Sequence, residues 1–135
     1  MLLVHAAEMS PRMTKTILVA DDEPNIVVAL EYLLTRSGYQ VHIARNGDEA
    51  LRLVETLVPD LVLLDIMMPL RSGYDVCKRI REQANLKHVK IVMLSAKGRD
   101  AEVNKGLAAG ADLYVTKPFS TRELVANING LLDST

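Results

Sequence analysis

Cysteine and aromatic residues are scarce in this sequence, which has one cysteine, one phenylalanine and no tryptophan among 135 residues. A single thiol excludes an intramolecular disulfide and is typical of proteins from reducing compartments. Cys77 lies on the apolar side of a predicted helical segment with Val76 and Ile80, so we interpret it as a core residue rather than a nucleophile. The three histidines are too scattered to predict a metal site.

The sequence also lacks a charge imbalance and a long apolar run. Its 16 Lys and Arg residues nearly balance 17 Asp and Glu residues, and the net charge of −1 argues against direct binding of nucleic acid. No apolar run reaches the length of about 18 residues that a membrane span needs. The apolar stretch Leu2–Val4 is too short for a signal peptide, so we expect a soluble, cytoplasmic protein without membrane contact.

The length and composition predict one globular domain, with 49% hydrophobic and 24% charged residues in the chain. The segment "MTKTILVADDE" leads directly from Met13 into an apolar run, so we place the domain at residues 13–135. Residues 1–12 are expected to be a loose N-terminal extension. An upstream start codon would equally explain them.

Short apolar runs alternate with longer segments of helical period, a pattern typical of a doubly wound α/β sheet with helices on both faces. The predicted strands are Thr16–Ala20, Gln40–Ala44, Asp60–Leu64, Lys90–Leu94 and Asp112–Thr116. The predicted helices are one from Pro24 to a cap at Gly38, then Gly47–Leu57, Gly73–Ala84, Arg99–Ala109, and one from Ser120 or Thr121 to Leu132. The second strand is less apolar than the others, as an edge strand would be.

Polar residues follow the strands of this predicted parallel sheet, where such folds place their ligand sites. In chain order they are Asp21, Asp22, Glu23, Asp65, Ser95 and Lys117. An acidic residue after a strand is often only a helix N-cap, and we prefer that interpretation for Glu23 beside Pro24. Asp65 is harder to explain structurally, because a lone carboxylate at the end of a buried strand is costly without a partner.

The predicted cluster favours phosphoryl chemistry with a metal ion. Carboxylates this close repel one another unless a hard cation lies among them, and Mg²⁺ prefers oxygen ligands. Ser95 can donate to a phosphoryl oxygen, and Lys117 can place a positive charge on another. Asp65 would then be the nucleophile that forms an acyl phosphate.

Four motifs are spread along the chain: "ILVADDEPN", "DLVLLDIMMPLRSG", "IVMLSA" and "GADLYVTKPF". Their order and spacing resemble the receiver domain of bacterial two-component response regulators, over Met13 to Asp133. The resemblance implies a flavodoxin-like sheet of order 2-1-3-4-5. It also implies a signalling domain that is not an enzyme, apart from assisting its own phosphorylation and dephosphorylation.

The resemblance assigns a role to each matched residue. Asp65 would accept a phosphoryl group from a sensor histidine kinase or a histidine phosphotransfer protein. Ser95 would be the switch hydroxyl, Lys117 would contact the phosphoryl group beside a cis bond to Pro118, and Tyr114 would be the aromatic switch. The implied ligands of Mg²⁺ are Asp22 directly, Asp21 partly through water, Asp65, and the backbone carbonyl of Met67.

The implied output is a changed surface on the fourth helix, fifth strand and fifth helix, read by a downstream protein or domain. A phosphorylation-dependent homodimer is a further expectation, although Leu113, Asn127 and Asn129 depart from the charged interface of the transcription-factor subfamily. The chain could be a stand-alone receiver or part of a longer regulator.

Two rival functions follow from the same residues. A phosphohydrolase of the haloacid dehalogenase type also forms an aspartyl phosphate, but its Asp-x-Asp pattern differs from the adjacent Asp21 and Asp22. A pseudo-receiver would bind partners without being phosphorylated, yet this sequence keeps every residue that such proteins commonly lose. Nucleotide binding is disfavoured, because neither G-x-x-x-x-G-K-[ST] nor G-x-G-x-x-G occurs.

Overall fold

Five parallel strands form one sheet in the order β2-β1-β3-β4-β5, which confirms the predicted flavodoxin-like topology. The computed structural model describes residues 14–133, so the extension predicted at residues 1–12 lies outside the described residues. The strands are β1 (Thr16–Ala20), β2 (Gln40–Ala44), β3 (Leu61–Asp65), β4 (Lys90–Ser95) and β5 (Leu113–Thr116). The less apolar β2 is an edge strand, as predicted, and β5 forms the other edge.

Helices cover both faces of this sheet. They are α1 (Pro24–Arg36), α2 (Gly47–Leu57), α3 (Gly73–Arg81), α4 (Asp100–Ala109) and α5 (Thr121–Asp133), with a 3₁₀ helix at Ala84–Leu86. The apolar sides of α1 and α5 pack on one face, and those of α2 and α3 pack on the other. Between residues 14 and 133, no helix combines the length and the apolar character needed to cross a membrane.

The apolar runs of the central strands are continuous because both faces of the sheet are buried. In β1, Ile17 and Val19 belong to the core under α1 and α5, whereas Leu18 and Ala20 belong to the core under α2 and α3. All four side chains are fully buried. A polar side chain directly after such a run therefore lies at the rim of the core, where charge is expensive unless it is compensated.

Two predicted elements needed correction. The third strand begins and ends one residue later than predicted, because Asp60 turns its carboxylate to accept the Thr16 N–H at 2.8 Å while Asp65 pairs with Leu94 in the ladder. Helix α3 ends at Arg81 and not at Ala84, since the Gln83 N–H donates to the carbonyl of Ile80 three residues back. Other predicted element bounds agree closely with the structure.

Cys77 is a core residue, as predicted from its helical position. Its side chain is fully buried, and the Sγ atom lies 3.5 Å from the carbonyl oxygen of Ala109. Burial raises the pKa of the Cys77 thiol to about 11, so almost no reactive thiolate forms at neutral pH.

We therefore expect Cys77 to resist alkylation in the native protein. Iodoacetamide at pH 8 should label the denatured chain rapidly and leave the folded chain essentially unlabelled, as measured by intact mass. Comparable labelling rates in the two states would contradict the buried position of this thiol.

Candidate functional site

The carboxyl ends of β1, β3, β4 and β5 meet at one edge of the sheet and bring the predicted site residues together. Asp21, Asp65 and Ser95 are the buried polar or charged residues that the structure records between residues 14 and 133, with exposures of 0%, 3% and 1%. All three follow or end a central strand. The buried polar side chains of these residues therefore lie together at the carboxyl ends of the strands.

Three carboxylates form the acidic part of the site. One oxygen each from Asp21, Asp22 and Asp65 lies within 4.8 Å of the other two. Backbone groups orient the buried pair: Asp21 Oδ1 accepts the Glu23 N–H at 2.9 Å, and Asp65 Oδ1 accepts the Met67 N–H at 3.1 Å. Asp22 is exposed and borders solvent. Oxygen donors at this separation, with one open side, fit a hard cation such as Mg²⁺.

Lys117 supplies a positive charge beside these carboxylates. Its Nζ lies 3.0 Å from Asp21 Oδ2, 2.7 Å from Glu23 Oε1 and 3.7 Å from Asp65 Oδ1. Burial lowers the pKa of Lys117, but the hydrogen bonds to Glu23 and Asp21 raise it more, so the ammonium stays charged. The Lys117–Pro118 peptide bond is cis.

Asp65 is held in an environment that opposes its negative charge. Burial, followed by the neighbouring charge of Asp21, raises the pKa of Asp65 to about 6, while the Met67 N–H and Lys117 pull it down. One ammonium group is therefore not enough to neutralise the cluster. An added cation would relieve the remaining repulsion.

Ser95 and Tyr114 are joined through the backbone of one residue. Ser95 Oγ accepts the Lys97 N–H at 3.0 Å, and the Tyr114 hydroxyl donates to the Lys97 carbonyl at 2.6 Å. Ser95 lies at the end of β4 beside Thr116 of β5, where its carbonyl accepts the Lys117 N–H at 2.7 Å. The predicted switch residues therefore share contacts with one loop, which follows β4.

Comparison with known proteins agrees with this geometry. A sequence profile described as the response regulator receiver domain matches residues 17–129. The chain belongs to this family. The matched segment includes every residue of the site, from Asp21 to Lys117.

One curated relative is a longer protein that this receiver domain matches over part of its length. The alkaline phosphatase synthesis transcriptional regulatory protein PhoP of Bacillus subtilis (strain 168) is 48% identical over 120 residues. The match covers 89% of this chain and 49% of that protein. The receiver domain therefore spans about half the length of this relative.

Solved structures of similar receivers share the fold. A putative response regulator from Chloroflexus aurantiacus has a TM-score of 0.84 and 36% identity, covering 89% of this chain and 98% of that chain. The chemotaxis response regulator CheY4 of Vibrio cholerae has a TM-score of 0.83 and 28% identity, covering 88% of this chain and 99% of that chain. These matches support the five-stranded topology derived above.

The preferred prediction for Glu23, a side chain that caps a helix, was wrong. Glu23 occupies the N-cap position of α1, but its side chain makes no capping hydrogen bond. It pairs with Lys117 instead, at 2.7 Å. Sequence reasoning missed this pair because the two residues are 94 positions apart, and only the parallel arrangement of β1 and β5 brings them together.

A second feature missed from the sequence lies in the loop Ile66–Ser72, which joins β3 to α3. Arg71 reaches out of this loop to carboxylates on two helices, with Nε 3.0 Å from Asp48 Oδ1 and Nη1 2.5 Å from Asp75 Oδ2. No short-range sequence signal pairs Arg71 with Asp48, since they lie 23 positions apart. The sequence spacing could have indicated only the pair of Arg71 with Asp75, which lies four residues further along the chain.

Proposed function

We propose that this receiver domain accepts a phosphoryl group on Asp65 with the help of Mg²⁺. The observation that carries the proposal is the buried Asp65 carboxylate, which faces two further carboxylates and one ammonium group at the open rim of the sheet. The proposed ligands of the metal are Asp21, Asp22, Asp65 and the backbone carbonyl of Met67. When bound, Mg²⁺ would neutralise the charge of the carboxylates and of the transferred group.

The transfer step needs little chemistry from the protein beyond positioning. A carboxylate oxygen of Asp65 attacks phosphorus, a P–O bond forms, and the bond from phosphorus to the donor's histidine nitrogen breaks with its electron pair leaving on the imidazole. The Met67 N–H and Lys117 hold the attacking carboxylate in place. Its electron pair stays available because the Lys117 charge and the metal favour the ionised form.

Phosphorylation would then shift the domain between two arrangements. The new phosphoryl oxygens offer acceptors to the Ser95 hydroxyl and to the Lys117 ammonium, and these contacts exist only in the phosphorylated protein. Ser95 and Tyr114 both bond to Lys97, so movement of Ser95 would be felt at Tyr114. This contact supports the proposed output surface on α4, β5 and α5.

The proposed phosphodonor is a sensor histidine kinase or a histidine phosphotransfer protein. The proposed recipient of the signal is an output protein or domain. The transcriptional regulatory relative from Bacillus subtilis favours an output in transcription, in which the output partner and not this domain contacts DNA. A phosphorylation-dependent homodimer through α4, β5 and α5 remains a prediction.

Both rival functions gain less support from the geometry. A pseudo-receiver would have no need for a buried carboxylate such as Asp65, whose charge Lys117 offsets only in part. A phosphohydrolase would place its nucleophile on β1, whereas the carboxylates after β1 are here arranged around Asp65 of β3. The experiment below separates all three.

The test is incubation with acetyl phosphate and Mg²⁺, followed by intact-mass analysis. We expect the protein to gain one phosphoryl group in Mg²⁺, to gain none in EDTA, and to lose it on treatment with hydroxylamine, which cleaves acyl phosphates. No gain in Mg²⁺ would contradict the proposal and favour a pseudo-receiver. A label that resists hydroxylamine would indicate a hydroxyl ester and also contradict it, whereas steady turnover of phosphate monoesters would favour a phosphohydrolase.

A further inference from the structure

The loop Ile66–Ser72 carries the proposed carbonyl ligand, Met67, directly beside the phosphoacceptor. Hydrogen bonds donated by two backbone N–H groups fix its two ends: the Met67 N–H donates to Asp65 Oδ1 at 3.1 Å, and the Gly73 N–H donates to the Ile66 carbonyl at 3.0 Å. A Cβ on Gly73 would lie only 2.6 Å from the Asp65 carbonyl oxygen, so the start of α3 packs directly on the loop. The position of Met67 therefore depends on how well this loop is held.

The middle of the loop is strained. Leu70 has φ +73°, a left-handed backbone conformation that favours glycine, and its side chain is 75% exposed. Around it the Arg71 N–H donates to the Pro69 carbonyl at 2.8 Å, which closes a tight turn. An exposed leucine gains no packing that would offset such a conformation, so other contacts have to hold the turn closed.

Contacts with α2 and α3 hold the turn closed. The Pro69 carbonyl also accepts the Gly47 N–H at 3.1 Å, and a Cβ on Gly47 would lie 1.9 Å from the Arg71 carbonyl oxygen. The Arg71 side chain then bridges Asp48 and Asp75, each in the first turn of its helix. Arg71 therefore ties the strained turn to α2 and α3 at once.

We propose that Arg71 is a positioning residue for Mg²⁺ binding, because its bridge from Asp48 to Asp75 holds the strained turn at Leu70 and thereby fixes the Met67 carbonyl. The inference rests on the proposed function in taking Met67 as a metal ligand. Arg71 itself touches neither metal nor phosphoryl group. Substitution of residues that orient metal ligands in this indirect way commonly lowers metal affinity by about tenfold or more.

The test is titration of the metal-free protein with MgCl₂ by calorimetry. Arg71→Met is expected to weaken Mg²⁺ binding about tenfold. The matched control is Arg52→Met on α2, which removes an exposed ion pair to Glu49 and should change affinity by less than about twofold. Arg71→Lys, which keeps the charge but cannot bridge both carboxylates in one plane, should give an intermediate affinity.

A second variant tests the strain directly. Glycine adopts the backbone conformation of Leu70 without cost, so Leu70→Gly combined with Arg71→Met should recover most of the lost affinity. Faster hydrogen exchange at the Gly47 amide in Arg71→Met, reversed in the double variant, would show that the loop itself responds. Unchanged Mg²⁺ affinity in Arg71→Met, or a loss that Leu70→Gly does not reverse, would overturn the proposal.

These outcomes are separate from those for the proposed function. If the wild-type protein takes no phosphoryl group but Arg71→Met still weakens Mg²⁺ binding, the proposed function fails and the role of Arg71 stands. If phosphorylation occurs and Arg71→Met binds Mg²⁺ as tightly as the wild-type protein does, only the role of Arg71 fails.

Discussion

Replacing Asp65 with asparagine is expected to abolish phosphoryl transfer and, in metal-free protein at pH 8, to raise the free energy of unfolding by about 2–3 kcal/mol. The loss follows because an amide is a much weaker nucleophile than a carboxylate. The gain follows because the folded protein raises the pKa of Asp65 from 3.8 to about 6, a difference worth about 1.4 kcal/mol per pKa unit. The same substitution would thus stabilise the fold and remove the activity.

The sign of the stability effect depends on pH. Below pH 3.8 Asp65 is protonated in both the folded and the unfolded protein, so it contributes no difference. Between pH 3.8 and about 6 the unfolded chain ionises Asp65 while the folded protein still keeps it protonated, so over this range the wild-type protein progressively loses stability relative to Asp65→Asn. Above that range the difference is constant.

Urea unfolding in EDTA at several pH values measures this difference. Asp22→Asn is the matched control, since its side chain is exposed and its neutralisation should stabilise the fold less. Saturating Mg²⁺ should reduce the advantage of Asp65→Asn, because the cation binds the folded wild-type protein. An Asp65→Asn variant that is phosphorylated like the wild-type protein, or that is less stable at pH 8 than at pH 4 relative to it, would contradict the assignment.

Replacing Lys117 with methionine should have the opposite effect on stability. The substitution leaves Asp21 and Asp65 buried without their ammonium partner, and removing one member of a buried ion pair costs about 3–5 kcal/mol. Because no ammonium group then competes for the same carboxylates, Mg²⁺ should bind Lys117→Met more tightly and stabilise it more than the wild-type protein. Phosphorylation should nevertheless slow, since a charge that supports the transferred group is gone.

Thermal and urea unfolding with and without Mg²⁺, together with calorimetric titration, would check these expectations. Lys97→Met is the control, because Lys97 is an exposed cation on the neighbouring loop and should change little. If Lys117→Met were as stable as the wild-type protein in EDTA, the role of Lys117 as counter-ion would be refuted. Weaker Mg²⁺ binding by Lys117→Met would refute the competition between ammonium and metal.

The fold was predictable because its signals are local and repeated. Continuous apolar runs such as Ile17–Val19 indicated buried parallel strands, and glycine, proline and serine marked helix ends, as at Ser120, whose Oγ accepts the Glu123 N–H at 3.2 Å. Errors arose where side chains altered an end locally. Asp60 bonds to the Thr16 backbone, and this moved the third strand by one residue.

The site was predictable only in part. Asp21, Asp65, Ser95 and Lys117 were recognisable because polar residues after apolar strands are conspicuous, and the structure brings all four to one edge of the sheet. The pair between Glu23 and Lys117 was not recognisable, because each residue has a plausible local role of its own. The sequence shows the chemical type of each site residue, but it does not show which of these residues contact one another.

The sequence by itself therefore determined the strand and helix pattern, the candidate site residues and the family to which the chain belongs. Only the tertiary structure decided which carboxylates share the Lys117 ammonium, how far burial raises the pKa of Asp65, and that Arg71 bridges two helices. The physical reason is distance. Charge interactions and desolvation act between atoms a few ångström apart, and folding brings such atoms together from segments as far apart as 94 residues along the chain.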